Sequence, residues 1–429
     1  MQQPFSDSPF PALIEVDGVD RVGRICMKET NCFVVAAFSS KTERRCMCGH
    51  GVERTAPRAE GGCIDSGEGL RNREFKRQER RRVIASVKMV EYNFEGSNGV
   101  HVNGTSKATS TPVAAEAEPK KRCLWFEEEL EEDLRWVFGV SKILHTGVSE
   151  FQDIQLVESG PFGKVLILDG KLQSAEADEY VYHESIIHPA LLYHSNPKNV
   201  FIMGGGEGST AREALRHRSV EEVVMCDIDE EVVNFCRKHL TVNTDAFRSN
   251  RLDLVINCAR AELEKRTEQF DIIIGDLADP VAGGPCYQLY TKSFYERVLK
   301  PRLKEGGILV TQGGPAGILS HTEVYSSIYN TLRQTFKYVV PYAAHVPSYA
   351  DTWGWVMASD QPIPTMTAEE TDSRIKQRVD GDLQFLDGQT LSATMALNKH
   401  VRKTLAAERH VYTEETARFI YGHGTALKN

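Results

Sequence analysis

The distribution of apolar residues between positions 199 and 358 predicts strands and helices in regular alternation. Short unbroken apolar runs, such as 200–203 (VFIM) and 271–275 (DIIIG), are typical of strands that are buried on both faces. The pattern predicts strands at 200–203, 223–226, 252–257, 271–275, 307–311, 337–340 and 354–358, and helices starting at Ser209 and spanning 230–240, 259–268, 292–303 and 322–336. Such alternation predicts an open, mostly parallel α/β sheet whose ligands bind beyond the carboxyl ends of the strands.

Upstream of this region the pattern is that of a small antiparallel sheet. Apolar runs occur at 141–145, 152–158, 165–168 and 171–174, with a tight turn at Asp169 and Gly170. The segment 124–140 is acidic and mixed, and helical spacing begins at 178–193. We therefore predict a small β-domain at 123–185, a Rossmann-like domain at 186–365 and a helical C-terminal tail at 366–429. The motif VYTEETARFIYGHG near the end predicts a docking helix or a flap.

Residues 1 to about 88 lack sustained periodicity, and residues 96–120 have the Gly, Ser, Thr, Ala and Pro content of a flexible segment. We predict that residues 1–122 form a disordered leader. Alternatively, the sequence before Met89 is a mis-called upstream segment. Cys46, Cys48 and His50 have no second ligand pair at zinc-finger spacing. For the basic run at 76–82 (KRQERRR), a solvated charge run is favoured over a nuclear or nucleic-acid signal.

Composition narrows the class of protein. The chain has 429 residues, of which 41% are hydrophobic and 26% charged, and it contains neither a membrane-length apolar run nor the apolar segment of a signal peptide. We expect a cytoplasmic protein whose ten cysteines are reduced. Residues 1–122 carry a net charge of +4 and the remainder −13. An acidic core of this kind is unsuited to nucleic acid and suited to polycations.

The stretch 199–233 carries the first candidate site. A buried strand, three glycines, a helix starting at Ser209 and a second strand ending at Asp227 form the crossover that binds nucleosides. The loop is not a P-loop, because no Lys-Ser or Lys-Thr pair follows the glycines. Glu207 suits a ligand with a cationic group nearby.

The second candidate site is the segment GDLADP. The predicted strand ends carry Gly204, Asp227, Cys258, Asp276 and Gln312. Asp276 and Asp279 are carboxylates that can hold a metal ion, act as a general base or bind ammonium groups. Metal is the weaker choice, since no His or Cys partner is near in sequence. A helix cap with an Asp-Pro turn is the structural alternative.

Five motifs, in order and spacing, resemble the polyamine aminopropyltransferases, the spermidine and spermine synthases. They are GGGEGSTAREALRH, VVMCDIDEEVV, FDIIIGDLADP, GGILVTQ and VPSYADTWGWVMAS. Three stretches are most similar to plant thermospermine synthases: GDLADPVAGGPCYQLYTKSFY, AHVPSYADTWGW and HVYTEETARFIYGHG. The resemblance covers about 89–429. It implies a methyltransferase-like Rossmann domain behind a small β-domain, and aminopropyl transfer from decarboxylated S-adenosylmethionine to an amine, releasing methylthioadenosine.

The same resemblance implies the residues that hold the donor. Gln152 matches a glutamine at the donor's aminopropyl end, Glu207 matches an acid that attracts its ammonium, and Asp227 matches the residue on the ribose hydroxyls. Cys258 departs from a family Asp that accepts from adenine, so we expect weaker donor affinity, while the N–H of Ala259 still serves adenine. His183 stands where spermidine synthases usually carry Gln, which implies altered substrate choice in the donor site.

For the amine, the resemblance assigns Asp276 as general base and Asp279 as the group that holds an amino group. Tyr182 matches the substrate-binding tyrosine. Gln173, Gln312 and Tyr349 match positions that line the amine channel, although a buried hydrogen-bonding role fits the two glutamines equally well.

The leading hypothesis is extension of spermidine to thermospermine by a homodimer or homotetramer, without metal or prosthetic group. The alternatives are spermine or spermidine synthesis, a methyltransferase, or a catalytically weak paralogue that binds polyamines.

Overall fold

The computed structural model describes residues 87–88, 124–131, 133–280, 284, 286–416 and 418, and these residues contain two β-sheets. The first sheet has six strands, paired antiparallel in the order β1-β2-β3-β4-β5-β6. They are β1 (Val87–Lys88), β2 (Leu124–Glu131), β3 (Leu134–Val148), β4 (Asp153–Ser159), β5 (Gly163–Leu168) and β6 (Lys171–Ala175). Phe126, Val157 and Ile167 belong to a core that this sheet forms itself. The predicted small antiparallel sheet is confirmed.

Two parts of this sheet differ from the sequence-based prediction. The mixed segment 124–140 forms β2 and the first half of β3, paired from Leu124 opposite Val140. In addition, β1 lies inside the predicted leader and pairs Val87 with Phe126. A two-residue strand is too short to show the alternation that reveals longer strands. The other leader features, Cys46, Cys48, His50 and the basic run, lie outside the described residues.

The second sheet has seven strands in the order β12-β13-β11-β10-β7-β8-β9. They are β7 (Asn199–Gly204), β8 (Glu222–Asp227), β9 (Leu252–Ile256), β10 (Phe270–Asp276), β11 (Leu303–Pro315), β12 (Tyr338–Val346) and β13 (Asp351–Ser359). β7 to β11 are parallel, and the edge pair β12 and β13 is antiparallel to its neighbours. This arrangement confirms the predicted mostly parallel sheet, although the predicted strand 337–340 extends to Val346.

Helices connect and cover these strands. They are α1 (Glu179–Tyr193), α2 (Ser209–Leu215), α3 (Glu230–His239), α4 (Thr244–Arg248), α5 (Ala259–Lys265), α6 (Lys292–Phe294), α7 (Tyr325–Arg333), α8 (Ala368–Arg378), α9 (Gly388–Met395) and α10 (Lys399–Ala407). The helix predicted at 292–303 is irregular, because α6 continues as a π-helix, Tyr295–Leu299, and a 3-10 turn, Lys300–Arg302. The tail motif does not continue as a helix: its described part, 411–416 and 418, is irregular.

Apolar layers cover both faces of the second sheet. Ile272 and Ile274 of β10 pack in the core that includes α1, whereas Ile273 packs on the opposite face with α7 and α10. Burial on both faces explains the continuous apolar runs in the sequence. None of the helices in the described part of the chain is long and apolar enough to cross a membrane.

Candidate active site

The glycine turn after β7 brings two strand ends into contact. Gly204 has a φ of 81°, and a Cβ atom there would lie 2.1 Å from the carbonyl oxygen of Asp276. A Cβ atom at Gly206 would lie 2.7 Å from Oδ2 of Asp227, which instead accepts the Gly206 N–H at 2.9 Å. Glycine is therefore required at both positions for the carboxylates of Asp227 and Asp276 to flank one cleft.

Asp276, the last residue of β10, is held by two hydroxyl groups. Tyr182 of α1 donates to its Oδ1 at 2.8 Å, and Thr210 of α2 donates to its Oδ2. Its main-chain oxygen accepts from the N–H of Gly205 at 3.1 Å. The carboxylate is thus fixed in orientation, as proton transfer at a defined position requires.

Asp279 lies three residues further along, on the side of β11. Its Oδ1 accepts from Nε2 of Gln312 at 3.0 Å, and the same amide donates to the hydroxyl of Tyr290 at 2.8 Å. Burial raises the pKa of Asp279 to about 7, with the charge of Glu128 acting in the same direction, while Gln312 and Lys171 oppose the shift. An ammonium group placed here would restore the ionised form.

Tyr349 lies between β6 of the first sheet and α1. Its hydroxyl donates to the carbonyl oxygen of Gln173 at 2.6 Å, and its ring meets that of Tyr182 edge-on at 6.0 Å. The neighbouring Ser348 N–H donates to Asp178, immediately before α1. Gln173 thus faces the site through its main chain, and its side-chain amide donates to the carbonyl of Lys171 at 3.2 Å.

The first sheet adds a charged pair that sequence reasoning missed. Glu128 of β2 is buried and accepts from the N–H of Leu172 at 3.0 Å. Nζ of Lys171 lies 3.6 Å from Glu128 and donates to the carbonyl of Glu129 at 2.8 Å. Both charges influence Asp279, so the first sheet contributes to the electrostatics around this carboxylate.

Glu207 lies on the opposite side of the cleft, in the turn before α2. Its Oε1 accepts from Ser209 at 2.6 Å and from Ser174 of β6 at 3.1 Å. Burial raises its pKa, and the nearby charge of His183 opposes that effect. The carboxylate is positioned to receive a cation.

His183 is held in a buried ion-pair network. Its Nδ1 donates to Oε2 of Glu179 at 2.6 Å, and Arg212 donates to both oxygens of Glu179 at 2.9 Å. Burial lowers the pKa of His183, but Glu179 and Glu207 outweigh burial and raise it to about 9. His183 is therefore an imidazolium at neutral pH. Glu179 and Arg212 were missed from sequence, although α1 places Glu179 and His183 one turn apart.

The ligating atoms of Glu179, His183 and Glu207 lie within 4.8 Å of one another, a spacing that suits a metal ion. Arg212 and the protonated His183 already bring positive charge to these carboxylates. We interpret the cluster as an ion-pair network.

Gln152 and Asp227 are linked through Asp229. Gln152 donates to Oδ2 of Asp229 at 2.9 Å, and the N–H of Asp229 donates to Oδ1 of Asp227 at 2.9 Å. Asp229 also caps α3 by accepting from Val232. Burial raises the pKa of Asp227 to about 6, although two main-chain N–H groups oppose that shift. Asp227 also contacts the glycine turn through the N–H of Gly206.

Cys258 and Ala259 lie at the next strand end. The N–H of Asn257 donates to the carbonyl of Asp227 at 3.0 Å, which brings the loop beside the cleft. Cys258 is the N-cap of α5, but its thiol makes no capping hydrogen bond, and Ala259 is the first helical residue. The N-terminal N–H groups of α5 are therefore close to Asp227.

Comparison with known proteins decides the family. The spermine/spermidine synthase domain matches residues 179–370, and the spermidine synthase tetramerisation domain matches residues 124–176. Thermospermine synthase ACAULIS5 of Arabidopsis thaliana is 59% identical over 75% of this chain and 95% of that relative. The chain belongs to the spermine/spermidine synthase family.

Other members of this family are also similar to this chain, in sequence or in structure. The polyamine aminopropyltransferase of Aeropyrum pernix is 40% identical over 69% of this chain and 95% of its own length. The crystal structure of spermidine synthase from Thermotoga maritima covers 69% of this chain and 98% of its own, with a TM-score of 0.61 and 27% identity. A spermidine synthase in complex with the transition-state analogue AdoDATO gives a TM-score of 0.62 and 28% identity over 69% and 99% of the two chains.

The structure brings the predicted residues of this aminopropyltransferase to one cleft, in two groups. One group surrounds Asp276 and Asp279 and contains Tyr182, Gln312 and Tyr349. The other group contains Glu207, Asp227, Cys258 and Ala259 beyond the strand ends from β7 to β9, together with Gln152 immediately before β4 and His183 of α1. The residues that sequence missed are Glu128, Lys171, Glu179, Arg212 and Tyr290.

Proposed function

We propose that the protein transfers the aminopropyl group of decarboxylated S-adenosylmethionine to spermidine, giving thermospermine and methylthioadenosine. The observation that carries this proposal is the Asp276 carboxylate at the end of β10, which Tyr182 and Thr210 orient three residues before Asp279. The 59% identity to a thermospermine synthase supports spermidine as acceptor.

The proposed chemistry needs a free amine beside a sulfonium. The lone pair of the primary amine on the aminopropyl arm of spermidine attacks the methylene carbon next to the sulfonium. The new C–N bond forms as the C–S bond breaks. The electron pair of the C–S bond stays on the sulfur of neutral methylthioadenosine. Asp276 accepts the proton that the attacking nitrogen loses and passes it to solvent. Asp279, held by Gln312, binds a second amino group, and Tyr349 closes the wall beside Tyr182.

The donor would bind to the second group of residues, which includes Glu207 and Asp227. Asp227 would accept from the ribose hydroxyls, and the N–H of Ala259 would serve adenine beside Cys258. Gln152 and Glu207 would receive the aminopropyl end, with His183 setting the charge around Glu207. A carboxylated donor would be repelled by Glu207, so this acid favours the decarboxylated form.

The proposal also covers the oligomeric state, the cellular location and the domain boundaries of the protein. We propose a homodimer or homotetramer that forms through the first sheet, since residues 124–176 match a tetramerisation domain. A cytoplasmic location is consistent with the free thiols of Cys226, Cys236, Cys258 and Cys286. The leader, β-domain, Rossmann-like domain and tail are proposed to meet near residues 122, 185 and 365. The reaction as written requires neither a metal ion nor a prosthetic group.

The deciding experiment incubates the purified protein with decarboxylated S-adenosylmethionine and either putrescine or spermidine, and separates the products by chromatography. We expect thermospermine from spermidine, with equimolar methylthioadenosine, and no product from putrescine. Spermine or spermidine as product would move the acceptor assignment within the family. Absence of methylthioadenosine with both amines, from folded protein, would refute the proposed activity and favour a polyamine-binding paralogue.

A further inference from the structure

The described end of the chain, residues 408–416 and 418, packs along α7; we call it the C-terminal strap. Glu408 starts the strap by accepting from Ser326 at 2.6 Å and from Nη1 of Arg418 at 2.8 Å. Asn330 of α7 donates to the carbonyl of His410 at 2.9 Å. The N–H groups of Arg409 and His410 also donate to Glu408, each at 2.8 Å. The strap is therefore fixed to α7 by a set of polar contacts.

Tyr412 is the buried centre of the strap. Its side chain is fully buried, its N–H donates to Thr331 at 2.9 Å, and its carbonyl accepts from the N–H of Lys292 at 2.9 Å. Its hydroxyl donates to the carbonyl of Arg418 at 2.8 Å. The main chain of Tyr412 is thus held by α7 on one side and by the start of α6 on the other, and its hydroxyl is held by Arg418.

The ring of Tyr412 packs against Tyr290, which hydrogen-bonds to Gln312 beside Asp279. Its centroid lies 6.4 Å from that of Tyr290. The hydroxyl of Tyr290 accepts from Nε2 of Gln312 and donates to the carbonyl of Ala278 at 3.3 Å. Gln312 in turn donates to Asp279. Tyr290, whose ring contacts Tyr412, is therefore connected to the Asp279 carboxylate by two hydrogen bonds through Gln312.

We propose that Tyr412 is a positioning residue for the amine acceptor: through Tyr290 and Gln312 it fixes the Asp279 carboxylate. This inference rests on the proposed function and deepens it. The strap packs on α6, α7 and Tyr290. The proposed donor residues lie elsewhere, at the ends of β7, β8 and β9, immediately before β4 and on α1. The effect should therefore fall on the acceptor and spare the donor.

The test compares Tyr412→Leu with Tyr412→Phe in the full-length protein. Binding of spermidine to the enzyme saturated with methylthioadenosine is measured by calorimetry, together with KM for spermidine and for the donor. In Tyr412→Leu we expect the spermidine Kd and KM to rise about tenfold while the donor KM stays within about twofold. Tyr412→Phe keeps the ring and should restore most of the spermidine affinity.

Leu405→Ala is the matched control, because Leu405 of α10 is buried in the same core cluster as Tyr412. It should lower the thermal unfolding temperature and leave both KM values unchanged. A parallel rise of both KM values in Tyr412→Leu, or an unchanged spermidine Kd, would overturn the inference. If wild-type protein binds spermidine but releases no methylthioadenosine, the proposed activity fails and the strap is still tested by binding. If wild-type protein binds no spermidine, the strap inference fails with the acceptor assignment.

Discussion

The hydroxyl of Tyr182 donates to Oδ1 of Asp276 at 2.8 Å, across a sequence separation of 94 residues. Tyr182 lies near the start of α1, and Asp276 ends β10, so the contact depends on α1 packing along the sheet. With Thr210 on the other oxygen, the carboxylate has one orientation in which to accept a proton.

Asp276→Asn is expected to lower kcat by about two to three orders of magnitude, because an amide cannot accept the proton of the attacking amine. The measurement is the rate of methylthioadenosine release at saturating donor and spermidine. Asp253→Asn is the control, since Asp253 lies on β9 and pairs with Arg266 at the surface. A kcat within about tenfold of wild type for Asp276→Asn would exclude the general-base role.

Glu179→Gln is expected to destabilise the fold by about 2 kcal/mol near neutral pH, because it breaks charged hydrogen bonds to His183 and Arg212. The folded-state pKa of His183 is raised to about 9 from an ordinary value of 6.5. The stability that this raised pKa contributes is complete below about pH 6.5 and is lost as the pH rises through about 9. The difference from wild type in unfolding free energy should therefore narrow between these values. A difference that stays constant with pH would contradict this account.

The parts of the fold that could be predicted from the sequence are those with a local pattern of apolar residues or glycines. Burial of β7 and β10 on both faces produces unbroken apolar runs in the sequence. The triple glycine marks the turn in which Gly204 lies against Asp276 and Gly206 against Asp227. Carboxylates that directly follow such runs, as at Asp227 and Asp276, could be placed at the strand ends. Their roles came from the family resemblance.

Contacts between polar residues far apart in sequence leave no such signal. β2 reads LWFEEELE, and nothing in this acidic pattern marks Glu128 as the buried member that faces Lys171. Arg212 meets Glu179 across 33 residues, and Tyr412 meets Tyr290 only after the tail has folded back. These residues are recognised only from the tertiary structure.

Cys258→Asp is expected to tighten methylthioadenosine binding about fivefold, a gain of roughly 1 kcal/mol, if a carboxylate at this position accepts from the adenine amino group. The change should also stabilise α5 by about 0.5–1 kcal/mol, because the thiol at the N-cap makes no capping bond. Calorimetry with methylthioadenosine and thermal unfolding measure the two effects. Cys258→Ser separates them, since serine caps the helix without adding a charge. An unchanged Kd in Cys258→Asp would show that the thiol is a tolerated variant.

The affinity for spermidine is expected to depend on pH through Asp279. Its pKa is raised to about 7, so the carboxyl group is largely protonated at about pH 6 and ionised at about pH 8. If only the carboxylate binds the ammonium, the spermidine Kd of the methylthioadenosine complex should rise about tenfold as the pH falls between these values. Asp279→Asn should give weaker binding with a flat profile over this range. A wild-type profile that is also flat would remove Asp279 from acceptor binding.

Lys171→Met should move the midpoint of that profile to higher pH, because the charge of Lys171 lowers the pKa of Asp279. At a pH above the midpoints of both profiles, the variant should bind spermidine more tightly, since the Lys171 cation, 3.6 Å from Glu128, no longer opposes the ammonium groups. Lys164→Met, on the neighbouring strand β5, is the matched control and should leave both quantities unchanged. If Lys171→Met binds spermidine more weakly than wild type at every pH, the lysine supports the surroundings of Asp279 sterically, and its charge does not set the affinity.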